Sequence, residues 1–163
     1  MDFELVHGLA LKKIKNFKEK PLNYFMKAIM GGIYLSVAMI LSVSLGATLL
    51  PLNAQAASIG FSMLFGIAFI MIVFLNGELF TGNVFVTSFA LFNKTAKAKD
   101  VTLLLALNYL GNFVGTLFIG YIYIKSGSQH ELVHAFLTKV LAAKLAYGMD
   151  QVNDDFGNPR PAV

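Results

Sequence analysis

The hydrophobic pattern of this chain is a long apolar run broken in its middle by a polar stretch. From Ala28 to Asn93 the only formal charge is Glu78, within Asn76-Gly77-Glu78-Leu79-Phe80-Thr81-Gly82-Asn83. Gly, Asn and Thr are poor residues for a helix interior. In a bilayer, non-helical backbone survives only where protein buries it or a wet cavity hydrates it. The pattern predicts half of a transport site inside a membrane protein.

The flanking pattern gives the spans. Tyr24 to Leu50 reads as a first crossing, because its uncharged run exceeds the roughly 20 residues needed. Gly31, Gly32, Ser36 and Ser42 give it small surfaces for close helix packing. Ala54-Gln55-Ala56 resembles a leader cleavage site. The apolar run ahead of it is longer than the about 7–15 residues of a leader core, so the first span is expected to stay uncleaved. Pro51 and Asn53 mark a turn. A straight helix from Ala54 to Phe92 would be about 58 Å long, nearly twice the hydrocarbon core. The segment is therefore a hairpin or one crossing with an unwound middle. Lysine placement decides: Lys94, Lys97 and Lys99 follow it, the N-terminal segment is also lysine-rich, and the loop at residues 51–58 has no charge. Positive loops belong in the cytoplasm, so one broken crossing is predicted, with the break at about 70–81.

The expected fold class is an all-α integral membrane protein with three crossings. They fall at about 24–50, 55–69 plus 82–93, and 100–125, followed by a short helix at about 130–147. That last helix gathers Leu132, Phe136, Leu137, Val140 and Leu141 on one side. Gly111 and Gly115 have the spacing of close helix packing. Asn108 and Asn112, one turn apart, are expected to hydrogen-bond a neighbouring helix. Residues 1–20 alternate Phe3, Leu5, Val6, Leu9, Ile14 and Phe17 with five lysines. They read either as a basic amphipathic segment on the membrane surface or as a solvated terminus, and Pro21 separates them from the first span. Residues 21–148 form the transmembrane unit, and 149–163 are expected to be disordered.

Composition agrees. The chain is 56% hydrophobic and 13% charged, against about 25% charged in soluble domains, with mean hydropathy +0.66. The net charge of +4 comes from lysines at the ends of apolar runs, where they set topology, so nucleic acid is not an expected partner. A multi-pass protein of the cell membrane with a cytoplasmic N-terminus follows. Cysteine is absent, which removes thiolate chemistry and cysteine metal sites. No cofactor or metal is expected.

The polar octet has a physical use. A half-helix starting near Gly82 would point its N-terminal amides and positive dipole end into the membrane, with Thr81 as cap. Transporters hold anions at the midplane this way. A simple glycine kink is the plainer reading. Glu78 satisfies backbone donors in the unwound segment or touches the permeant species; repulsion of an anion favours the structural role.

Gly77-Glu78-Leu79-Phe80-Thr81-Gly82-Asn83, preceded by Gly60-Phe61-Ser62-Met63-Leu64-Phe65-Gly66, resembles the first-half signature of the formate/nitrite transporter family. Lys144-Leu145-Ala146-Tyr147-Gly148 extends the likeness to roughly residues 20–148. The resemblance implies an aquaporin-like half, pentamers, and a pore in each protomer for small monovalent anions such as formate or nitrite. It places Leu79, Phe80 and Thr81 near a constriction and chamber, and Phe65 and Phe69 on the outer side of the path. Gly77, Glu78, Gly82 and Asn83 shape the broken helix, and Lys144 attracts anions toward the entrance. An apolar constriction must admit a neutral or transiently protonated form, given the cost of charge in a low dielectric. The family's inverted second half, with its chamber histidine, has no counterpart here. His7, His130 and His134 lie outside the predicted spans, so a chain incomplete alone is expected, either truncated or requiring two or more copies to assemble. The alternative is a small membrane interaction protein that transports nothing. His130-Glu131-Leu132-Val133-His134 fits the short H-E-x-x-H zinc pattern, but no clear third ligand follows, and the chain is expected not to be an enzyme.

Overall fold

The computed structural model describes residues 3–127 and 131–145. Among these residues seven helices follow in order: α1 (Phe3–Glu19), α2 (Pro21–Leu49), α3 (Ala54–Phe65), α4 (Ile67–Phe74), α5 (Phe80–Phe92), α6 (Ala98–Lys125) and α7 (Glu131–Leu145). Three helical stretches, Pro21–Leu49, Ala54–Phe74 and Ala98–Lys125, are long and apolar enough to cross a membrane.

The bundle is built on the contact between α2 and α6. Small residues let the two backbones meet. A β-carbon on Gly32 would lie 2.1 Å from the Asn112 carbonyl oxygen, and one on Gly115 would lie 2.1 Å from that of Ile29. Gly111 sits against Ala28 in the same way. The contacts advance together along both helices. Tyr24 and Leu104 share one core cluster, Ala28 meets Gly111, and Ile29 meets Gly115. Leu35 and Met39 then line one cavity with Thr116 and Gly120. The helices therefore run parallel, and the chain between them must return across the bundle once.

That return is α3 to α5, running antiparallel to α2. Gly60 lies beside Leu45 and Leu49, and Gly77 beside Tyr34 and Gly31. Asn83 then bonds to Tyr24. The single broken crossing predicted from lysine placement is the observed one. The break itself is shorter than expected. Helix continues through Ile70–Phe74 and resumes at Phe80, leaving only Leu75 to Leu79 outside helix, in place of 70–81. The reason is chemical: Ile70–Phe74 has no polar side chain to replace lost backbone bonds at membrane depth, so those residues keep them. The extra length is taken up partly by a kink at Gly66, whose N–H bonds Met63 O at 3.2 Å. A span longer than the bilayer core tilts or kinks.

α1 buries Val6, Ala10, Ile14 and Phe17 at helical spacing. Ala10, Ile14 and Phe17 pack with Tyr24, Ala90, Val101 and Leu104. His7 Nε2 meets Thr95 Oγ1 at 2.7 Å, and Lys18 pairs with Asp100. Both lysine-rich segments thus lie at one end of the bundle. At the other end, α7 packs Val133 and Phe136 against Val43, Ala47 and Ala57. Leu132, Leu137 and Leu141 remain exposed, so its packed face is the one carrying 133, 136 and 140 rather than all the leucines.

Gly115→Val is expected to force α2 and α6 apart and to destabilise the bundle by about 1–3 kcal/mol, the usual cost of overpacking. Gly120→Ala, where a β-carbon meets nothing within 4 Å, should be neutral or stabilising. Unfolding in mixed detergent–SDS micelles, followed by circular dichroism, separates the two.

Candidate functional site

The site begins with the backbone of the break. Leu75 N–H closes α4 onto Met71 O at 2.9 Å, and Gly77 N–H reaches Ile72 O at 2.9 Å. Between them Asn76 takes φ +57°, a left-handed conformation that asparagine tolerates better than most residues. Glu78 N–H then donates to Lys27 O on α2 at 3.0 Å. Its carbonyl accepts from Asn108 Nδ2 at 3.0 Å and Asn112 Nδ2 at 2.8 Å. Asn112 also donates to Ala28 O at 2.7 Å and accepts from Phe80 N–H at 2.9 Å. Two asparagines of α6 therefore supply the partners that the unwound chain lacks. Gly31 makes room for this, since a β-carbon there would lie 2.4 Å from Glu78 O.

The Glu78 side chain is buried, at 8% exposure, and forms an ion pair with Lys13 of α1. Asn83 Nδ2 lies 3.0 Å from Glu78 Oε2, 2.9 Å from Asn108 Oδ1 and 2.7 Å from the Tyr24 hydroxyl. Two amide hydrogens serve three acceptors. Among the described residues no buried side-chain polar atom lacks a partner. Glu78 binds a lysine and an asparagine side chain, not backbone donors of its own segment as the sequence suggested. Lys13 neutralises a charge whose burial alone would cost several kcal/mol.

α5 starts at Phe80 with Leu79 as its cap residue, and no side chain of its own caps it. Thr81 is inside the helix and Gly82 is not its first residue, which corrects the expected cap. Asn112 takes the capping role from α6 because its amide oxygen reaches the Phe80 N–H. Asn83 N–H makes the first bond back, to Leu79 O at 2.9 Å, so Thr81 and Gly82 carry helix-start amides with no intrahelical acceptor.

Thr81 and Gly82 border an open groove of about 700 Å³. Phe69, Leu79, Thr81, Gly82, Gly77 and Asn83 line it, joined by Lys13 and Leu9 from α1. Phe65 stands edge-on to Phe69 at 6.2 Å between ring centroids. Phe80 does not line the groove; its ring meets Tyr109 of α6 at 5.6 Å. The side chain of Lys144 and the whole of His130 fall outside the described residues, as do residues 146–163. Lys13 was not singled out from the sequence. Its signal was its position, three residues after Ala10 and four before Phe17, on the stripe that α1 buries.

A family model described as "Formate/nitrite transporter" matches residues 3–153. The chain belongs to the formate/nitrite transporter family. It is 26% identical over 141 residues to "Uncharacterized transporter YwcJ" of Bacillus subtilis, covering 86% of this chain and 55% of that protein. It is 28% identical over 109 residues to "Nitrite transporter NirC" of Escherichia coli, covering 67% and 40% respectively. "Formate-nitrite transporter 3" of Toxoplasma gondii is 32% identical over 115 residues, 66% of this chain and 23% of that protein. A solved "FNT family ion channel" superposes with a TM-score of 0.71 at 24% identity, over 78% of this chain and 50% of its own. The chain thus spans about half the length of the first of these relatives, and the shared fold is that of the channel's matching half.

Lys13→Ala should destabilise the fold by about 3 kcal/mol, because it strands a buried carboxylate. The double variant Lys13→Ala/Glu78→Gln should recover part of that loss, since the amide can still accept from Asn83. The unfolding midpoints of single and double variants in SDS mixtures check this coupling.

Proposed function

We propose that residues 21–148 form one wall of a permeation path for small monovalent anions of the formate/nitrite class, or for their acids. The observation that carries this reading is the groove at the broken crossing. There the positive end of the α5 dipole attracts an anion, Lys13 cancels the repulsion that Glu78 would otherwise exert, and Phe69 and Leu79 form apolar wall. In this reading Phe65, Phe69, Leu79 and Thr81 border the path, and Phe80 acts from behind by fixing the break against Tyr109. Gly77, Glu78, Gly82 and Asn83 hold the broken helix in shape, and Lys144 draws anions toward one mouth. An anion passes the apolar part more easily as its acid, because the charged form loses its hydration there.

The groove is open among the described residues, and in this reading a second segment, of the kind that relatives carry in the remainder of their length, closes it. Assembly into a homo-oligomer, a pentamer by family analogy, belongs to the same reading. So does a cytoplasmic N-terminus, supported by the gathering of both lysine-rich segments at one end. The same open groove also fits a second reading, a membrane interaction protein that docks on a transporter without passing substrate.

Formate flux into proteoliposomes separates the two. The 163-residue chain alone is expected to give none, and co-reconstitution with the second half of a relative is expected to give flux that rises as pH falls. Thr81→Val should lower that flux about tenfold, if the hydroxyl contributes about 1.4 kcal/mol to passage. Association without any flux would favour the docking reading. Topology is open to cysteine labelling, because the chain has no cysteine of its own. Asn53→Cys should react with an impermeant maleimide from outside cells, whereas Lys12→Cys and Lys97→Cys should react only after permeabilisation.

A further inference from the structure

The bend between α1 and α2 holds a small polar cavity that the groove does not use. Lys20 precedes Pro21 and sits at φ −139°, ψ 63°, outside the helical region, as a residue before proline prefers. Asn16, Lys20, Asn23 and Lys27 recur at four- and three-residue steps, a spacing that would place them on one face of a continuous helix. The bend turns that face into the wall of a cavity of about 200 Å³, with Tyr24 and Glu78 at its back.

The charges in this cavity are not balanced. Ion pairs among the described residues use Lys13, Lys15 and Lys18, and Lys20 and Lys27 have none. The amides of Asn16 and Asn23 likewise make no side-chain hydrogen bond among the described residues. The one carboxylate present, Glu78, is already held by Lys13 and Asn83. Two lysines and two asparagines therefore line a shared space. They match a compact anion with several acceptor oxygens. The position is also specific. The bend lies at the lysine-rich end of the bundle, where α1 meets Thr95 and Asp100. Beside it on α2, Leu22, Met26 and Met30 form an exposed apolar row at four-residue steps, at 74%, 53% and 37% exposure.

The geometry points to a phosphate-binding site at the α1–α2 bend, in which Lys20 and Lys27 supply charge and Asn16 and Asn23 supply donors. A phosphate group reaches such a site either as the headgroup of an anionic phospholipid, its chains along Leu22, Met26 and Met30, or as a free phosphate. Binding at the bend would also bear on the break, because the Lys27 carbonyl holds Glu78 N–H and Glu78 walls the cavity.

The test is native mass spectrometry of the full chain in a non-ionic detergent, titrated with dioleoylphosphatidylglycerol, dioleoylphosphatidylcholine and inorganic phosphate. Phosphatidylglycerol, inorganic phosphate or both should be retained in preference to phosphatidylcholine. Lys20→Gln/Lys27→Gln should weaken that retention about thirtyfold, from two lost surface-lysine contacts. Lys20→Arg/Lys27→Arg should keep it. Lys12→Gln/Lys15→Gln, with the same charge loss on the exposed side of α1, should change it less than about threefold. Asn23→Leu removes a donor and no charge, and should weaken retention about fivefold, which keeps the test decisive if the double glutamine variant does not fold. Phosphatidylglycerol binding that inorganic phosphate does not displace identifies the lipid as the source, and binding of inorganic phosphate itself identifies the free ion. Equal losses in the two glutamine pairs, or no preference for either phosphate ligand over phosphatidylcholine, overturn the proposal.

Discussion

Two peptide groups govern this structure, the carbonyl of Glu78 and the amide of Phe80. Glu78 lies in the unwound turn and Phe80 at the start of α5, inside an apolar crossing where an unpaired backbone group costs several kcal/mol. One side chain, Asn112, serves both. It does so from a neighbouring helix, so the opening in the crossing exists only while α6 is in place. Asn108 adds a second donor to the same carbonyl.

The need to bring Asn112 that close explains the small residues on either side of it. Gly111 and Gly115 let α6 lie on α2, while Gly31 and Gly32 clear space on α2 for the break and for the asparagine. The order of dependence runs from glycine to helix contact, from helix contact to asparagine, and from asparagine to an unwound turn beside a groove. Glu78 and Lys13 close the sequence by fastening α1 over the same region.

The fold was largely legible because it rests on terms that a sequence displays. Run length and lysine placement predict three crossings with the middle one broken, and the parallel course of α2 and α6 is the packing that this requires. The extent of the break was less legible. Length alone suggested unwinding from Ile70, but apolar residues have no means to replace backbone bonds, and the helix bends at Gly66 and persists to Phe74. The local chemistry of the site depended on long-range partners. Thr81 looks like a cap by residue type, yet the cap comes from Asn112, far along the chain. Phe80 carries the motif's likeness but turns to Tyr109. Lys13 is one of many lysines by composition and is singled out only by its place on the buried stripe of α1.

The placement of α1 has a consequence in time. Its anchors, Thr95 and Asp100, are made long after it leaves the ribosome, and closing so long a loop is slow compared with forming a helix. During synthesis α1 has no docking partner until the broken crossing, with Glu78 and Ala90, has been made. Until then the apolar stripe of Val6, Ala10, Ile14 and Phe17 stays uncovered, the kind of surface that makes folding intermediates aggregation-prone.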